Sequence, residues 1–273
     1  NMFRGCKQLT SVTLDNNLME VGKACFYGCS ELTAIDIPES LATLSESMFE
    51  ECTRLASVTL HEGLTTVDRW AFYNCSLTSV ILPASVTSVG KNVFHGCPIE
   101  EFHISDSETE LSVDANANIP GKNFYIGRNL TFAEGTSMFN DVETLTLGGN
   151  MTTIPESLAR GKSTLKTLVV GESIVNIGGA TAFRETGLTS VSLPSTLKVL
   201  PQETFEKCYS LTTVTLAEGL EEIGHGAFYD CKALTEITLP ASLKKIGKGV
   251  FHRNEALKKM VVADSDTELS FET

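Results

Sequence analysis

No apolar run in this 273-residue chain approaches the ~18 residues that a membrane-crossing helix needs, so a helical span is excluded. Basic residues are scarce. Lys and Arg number 21 against 34 Asp and Glu, a net charge of −13. Nucleic acid and anionic lipid both call for clustered cations, so neither fits as a partner. Catalytic signatures are missing as well. The five histidines form no His-Glu-x-x-His pair, and no Gly-x-Ser-x-Gly elbow occurs. Gly161-Lys162-Ser163-Thr164 imitates the tail of a phosphate loop, but Glu156 stands where that motif needs its first glycine. Cys25-x-x-x-Cys29 has no second ligand pair nearby to complete a zinc site. These absences predict a protein with no catalytic residues, no metal and no cofactor. Tryptophan occurs once, at Trp70, as either a packing residue or an exposed contact.

What is present is a cycle of about 23 residues, clearest from Phe26 to Phe49: Phe26, Cys29, Leu32, Ile35, Ile37, Pro38, Leu41, Leu44, then Phe49. Self-similarity at this period marks a stacked repeat. One apolar column runs Val12, Ile35, Val58, Val80, Phe102, Phe124, Leu145, Leu168, Val191, Val214, Ile237, Met260, at steps of 21 to 23. It predicts about twelve coils. Around it, Leu-x-x-Val-x-Leu alternates apolar and polar side chains, as a strand with one buried face does. Pro38, Pro83, Pro194 and Pro240 end such strands, because proline has no N–H to give a ladder. A second apolar pair (Leu41/Leu44, Leu64/Val67, Leu220/Ile223) predicts a short second strand, and the Phe that follows predicts a short helical turn. One coil cannot bury enough surface to offset its own ordering, so coils must stack into one continuous array.

The cysteines follow the same cycle. Cys6, Cys29, Cys52, Cys75 and Cys97 lie 22 or 23 apart, and so do Cys208 and Cys231. One per coil at one site reads as a column of reduced, packed thiols, because side chains pointing in parallel meet disulfide geometry poorly. Cys25 falls where other coils carry Ala71, Ala182 or Ala227 and reads as core.

The array divides into regular repeats at 1–104, an irregular stretch at 105–140, and regular repeats at 141–273. In the irregular stretch the Phe position falls near Asn116, with no aromatic there, and Pro120, Gly121, Gly127 and Gly135 make it loop-like. Its opening, Asp106-Ser107-Glu108-Thr109-Glu110-Leu111-Ser112, recurs at 264–270 with six of seven positions identical. The alternating acids (Asp106/Glu108/Glu110, Asp264/Asp266/Glu268) resemble the start of a calcium loop but lack its glycine and closing Glu, so a solvated loop is the better reading. Both chain ends fall inside a repeat, which predicts a fragment of a longer protein.

The pattern Phe-x-Gly-Cys-x-x-Leu-x-x-Val-x-Leu-Pro, followed by Leu-x-x-Ile-Gly-x-x-Ala-Phe, resembles the BspA-like leucine-rich repeat proteins. Phe26–Phe49 and Phe228–Phe251 carry it most fully. Tyr125-x-Gly127-Arg128-Asn129 is similar to an interruption in members from Bacteroides-type gut bacteria. The resemblance implies a right-handed α/β-type solenoid with a parallel sheet. It also implies a secreted or surface-displayed bacterial protein without catalysis, and a macromolecular ligand: a host matrix protein, another cell surface or a glycan.

The outward strand positions are the candidate binding face. Most are Ser or Thr, which also serve as plain strand formers. Ile81, Glu101 and His103 depart most from that background, with Ser79 and Asp36 on the same face. A structural spacer that carries another domain is the second reading. A hydrolase in the irregular stretch is the third.

Overall fold

A computed structural model describes residues 1–114, 116–132, 138–265 and 268–272. The chain divides into two compact units, 1–140 and 141–273. Both are built the same way. Each coil contributes a long strand of three or four residues, a two- or three-residue strand and a turn that carries the Phe. Among the described residues the strands pair in parallel.

In the first unit, Ala34–Asp36 pairs with Ser57–Thr59, and Ser79–Leu82 pairs with Glu101–Ile104, which pairs with Asn123–Ile126. The short strands Thr43–Leu44, Thr66–Val67, Ser88–Val89, Leu111–Val113 and Leu130–Thr131 form one five-stranded sheet. In the second unit the long strands are Thr144–Leu147, Thr167–Val170, Ser190–Ser192, Thr213–Thr215, Glu236–Leu239 and Lys259–Val262. Among the described residues the long strands number eleven, about ten full turns, against the twelve coils expected. The Val12 position carries no strand.

The turn that carries the Phe is not helical, and no helix occurs among the described residues. The backbone explains why. The residue two before each Phe is left-handed (Ala24, Ser47, Trp70, Asn92), and so is the residue two after it (Gly28, Glu51, Asn74, Gly96). Two such residues four apart break any right-handed helix. Alternate N–H groups then have different uses. Cys29 N closes a turn onto Phe26 O at 3.1 Å, whereas Ala24, Phe26 and Gly28 N donate to Glu46, Met48 and Glu50 O of the next coil at 2.8–3.0 Å. A helix would keep those donors to itself. Here they form a further ladder between coils.

Inside, the columns stack as their spacing predicts. Phe3, Phe26, Phe49, Phe72 and Phe94 lie face to face at centroid steps of 5.4–5.6 Å. Phe183, Phe205, Phe228 and Phe251 repeat this in the second unit at 5.5–5.9 Å. Beside them the thiols of Cys29, Cys52, Cys75, Cys97, Cys208 and Cys231 each donate to the carbonyl of the preceding coil's Phe. Cys52 Sγ lies 3.1 Å from Phe26 O, Cys75 Sγ 3.2 Å from Phe49 O, and Cys231 Sγ 3.2 Å from Phe205 O. All eight cysteines are free, and only Cys6 is exposed.

Burial pushes the Cys52 thiol up to about 12 and Cys208 to about 11. Cys75 is raised for the same reason, with the Cys97 thiol adding to it. A thiol-exchange reagent at pH 7 is expected to modify Cys6 quickly and the other seven only after unfolding, since those seven are buried out of the reagent's reach. Fast reaction of two or more thiols in native buffer would refute the column. The raised thiols add stability that is complete below the ordinary thiol range and is lost as pH climbs from about 9 toward 12.

The irregular stretch keeps the stacking by exchanging sizes. Ile119, three residues beyond the Asn116 position, takes the place of Phe; it is buried and bridges to Phe139. The missing volume comes from the strand column, where Phe102 and Phe124 replace the usual Val or Leu. Phe102 lies 5.4 Å from Phe94, and Phe124 lies 4.7 Å from Phe139, both edge to face. The two larger rings fill space beside the smaller Ile119, as a close-packed core requires. Gly135 lies outside the described residues.

Candidate functional site

Register brings four of the five singled-out residues together. Ser79 pairs with Glu101 and Glu101 with Asn123; alongside, Ile81 pairs with His103 and His103 with Tyr125. The patch is two rows across three strands. Ile81 is 64% exposed, an unusual position for an isoleucine on this face. The His103 and Tyr125 rings stack at 4.4 Å, 12° from parallel. Rings stacked across neighbouring strands must turn their edges, not their faces, to solvent.

The polar side chains hold one another in place. Asn123 Nδ2 donates to Glu101 Oε1 at 2.7 Å, and Tyr125 OH donates to Asp106 Oδ1 at 2.6 Å. Partial burial, helped by the Asp106 charge, raises the Tyr125 hydroxyl to about 12, so it stays a donor at neutral pH. Gly127 makes room for that aspartate: a Cβ there would run into the Asp106 carboxylate and backbone nitrogen.

Asp36 stands apart. It pairs with Thr59, and its carboxylate meets His61 Nε2 at 2.7 Å. Both line a groove of about 640 Å³ with Val12, Leu14 and Glu39.

From the sequence Asn123 is passed over, Tyr125 is named only within the interruption motif and Asp106 only as a calcium-like acid, yet the signal for the patch is there. Steps of 22 from Ser79 and Ile81 lead to Glu101 and His103, then to Asn123 and Tyr125. Asp106 was hidden by its likeness to a calcium ligand, whereas its carboxylate serves the tyrosine. Among the described residues no group of three His, Cys, Asp or Glu could hold a metal. In the second acidic copy Asp266 lies outside the described residues.

The phosphate-loop look-alike is accounted for by its hydrogen bonds. Gly161 N donates to Arg184 O at 2.8 Å, Lys162 N to Ala159 O at 3.1 Å and Ser163 N to Gly161 O at 3.0 Å. The amides that would cradle a phosphate are committed to the repeat.

Parallel strands, columns of Phe and of small buried residues that run through most coils, and an exposed strand face define a leucine-rich repeat solenoid. The model for the BspA type leucine rich repeat region matches in six copies, over residues 1–100, 65–181 and 179–272, and the chain belongs to this family. Among solved structures it is similar to a leucine-rich repeat protein from Bacteroides ovatus, with 23% identity and a TM-score of 0.54 over 96% of this chain and 76% of that one. A leucine rich cell surface protein from Faecalibacterium prausnitzii matches with 24% identity and a TM-score of 0.45, over 87% of this chain and 62% of that one. The first likeness bears on the fold alone. No curated protein matches the chain.

Proposed function

We propose that this is a non-catalytic bacterial surface protein that binds a macromolecular partner, protein or glycan, through the long-strand face of its first unit. The observation that carries this is the exposed Ile81 beside the stacked His103–Tyr125 pair. An apolar side chain and two fixed rings in a Ser/Thr field supply anchor area whose ordering cost is already met in the free protein. The Glu101–Asn123 and Tyr125–Asp106 bonds add rigidity suited to recognition. The surface location rests on the family and on the relative described as a cell surface protein.

The test is binding of the purified chain to immobilised matrix proteins and to a glycan library. For any ligand found, Ile81→Ser with His103→Ala is expected to weaken binding about tenfold or more, while Thr215→Ala on the second unit's face leaves it unchanged. Full affinity in the double variant would refute the assignment.

A further inference from the structure

The turn side of the first unit holds a second feature, unrelated to the strand face. Trp70, the only tryptophan, occupies one of the left-handed positions at a φ of 59°. Other coils place Ala24, Ser47, Asn92, Thr181, Glu203, Gly226 or Gly249 there, none of them aromatic. A bulky ring is a poor occupant of that conformation, and backbone strain of this kind concentrates where function retains it.

Trp70 closes one end of a groove of about 390 Å³, within the range of small-ligand sites. Ala24 and Ser47, the small residues of the same column, line it beside the Tyr27 ring. Tyr27 and Trp70 belong to coils two steps apart, a span of about 10 Å. Each ring has a guanidinium partner: Arg4 lies 4.1 Å from the Tyr27 centroid and Arg69 5.0 Å from that of Trp70. One wall is stiffened by Lys23–Glu46–Arg69, a ladder with contacts of 2.8 and 2.7 Å across three coils. The Ser47 hydroxyl and the Glu50 carboxylate find no partner among the described residues and remain free to bond a ligand.

The charges decide the ligand class. Arg4 and Lys23 are matched by Glu46 and Glu50, and Arg69 beside Trp70 adds one further cation. That excess disfavours a bare cation, and the pairing of Lys23 and Arg69 with Glu46 leaves little cationic surface to hold a phosphate. Two aromatic rings with a hydroxyl, carboxylates and N–H donors between them suit a molecule with an apolar C–H face and a rim of hydroxyls. From this geometry we infer that the groove binds a neutral saccharide unit, at a site distinct from the strand-face patch.

Because Trp70 is the sole tryptophan, its fluorescence reads the groove directly. The purified chain is titrated with glucose, galactose, mannose and N-acetylglucosamine and their β-linked disaccharides. At least one is expected to give a saturable change in Trp70 emission. Glu50→Ala should weaken that response fivefold or more, and Ile81→Ser with His103→Ala should leave it intact. Trp70→Gly, followed by calorimetry, should abolish binding while the melting temperature holds or rises, because glycine accepts the left-handed backbone without strain. No saturable response from any sugar overturns the inference and leaves the strand-face reading standing. So does a Trp70→Gly chain that melts earlier yet binds as before, which would make the ring a packing residue. Sugar binding lost only in the Ile81/His103 variant would move the site to the strand face and refute the groove.

Discussion

Arg128→Ala is expected to lower the stability of the first unit by about 3–5 kcal/mol, since hydrogen bonds from a charged group add about 1.5–3 kcal/mol each and the cost of burying the guanidinium offsets part of the sum. Arg128 is fully buried, and no other large charged side chain in the described residues is so enclosed. Its Nη1 donates to Ala84 O at 2.8 Å and Val86 O at 2.7 Å, and its Nη2 to Pro83 O at 2.7 Å. These carbonyls lie 42 to 45 residues back in the chain, so the side chain reaches past the intervening coil. The same turn is held from its other side, where the Glu62 carboxylate accepts from Ala84 N at 2.9 Å and Ser85 N at 2.8 Å. Burial, the largest single influence on Glu62, pushes its carboxyl up. The two amides together with Ser85 Oγ outweigh it and hold the carboxyl below its ordinary value. Burial also draws the Arg128 pKa down, and the Glu62 charge offsets part of that.

Alanine would leave the carbonyls without their side-chain donors and open a void. Lysine keeps the charge but cannot fork across separate acceptors, so Arg128→Lys should recover only part of the loss. Urea unfolding followed by Trp70 emission checks both, since that tryptophan lies in the same unit. An unchanged midpoint for Arg128→Ala would show that the three bonds add no net stability.

Phe49→Ala should cost a similar amount, about 3–5 kcal/mol by the usual scale for deleting a buried phenylalanine. The ring is fully buried between Phe26 and Phe72, at 5.4 and 5.5 Å, within 7° of parallel to both. Its removal opens a gap in a column where each coil touches only its neighbours, so stacking on both sides is weakened. The backbone of that turn stays committed: Phe49 O accepts Cys52 N at 3.1 Å and Cys75 Sγ at 3.2 Å, which limits collapse into the gap. Phe49→Ile should also destabilise, by less. The chain itself tolerates isoleucine at Ile119 only where Phe102 and Phe124 make up the volume. A Phe49→Ala midpoint within error of the parent would mean the column contributes nothing to cohesion. Against a total stability of typically 5–15 kcal/mol, either variant should lie near the edge of folding.

Much of this architecture was legible because stacking turns periodicity into contact. A residue 22 or 23 positions on is a spatial neighbour, so the Phe, Cys and inward strand columns could be read by counting. The same arithmetic contained the Ser79–Glu101–Asn123 and Ile81–His103–Tyr125 rows. Composition drew attention to Ile81 and His103 but not to Tyr125, which lay in the stretch where the repeat looked broken. The expectation of helical turns fails because a Phe every 23 residues says where a side chain points, not which amides bond within the turn. Left-handed Ser47, Glu51 and Trp70 carry no sequence mark of that role, as only a minority of such positions here are glycine or asparagine.

The order of residues alone determined that coils would stack, which side chains would share a column, and that the thiols would stay reduced, since each of these follows from one constant spacing. The tertiary structure decided whatever departs from that spacing. It placed Ile119 in the aromatic column, buried Arg128 two coils away from its turn, and set Trp70 over the groove floored by small residues. The physical reason is that a repeat specifies contacts between adjacent coils. Reaching past a neighbour, or exchanging volume between two columns, depends on space that exists only once the coils have packed.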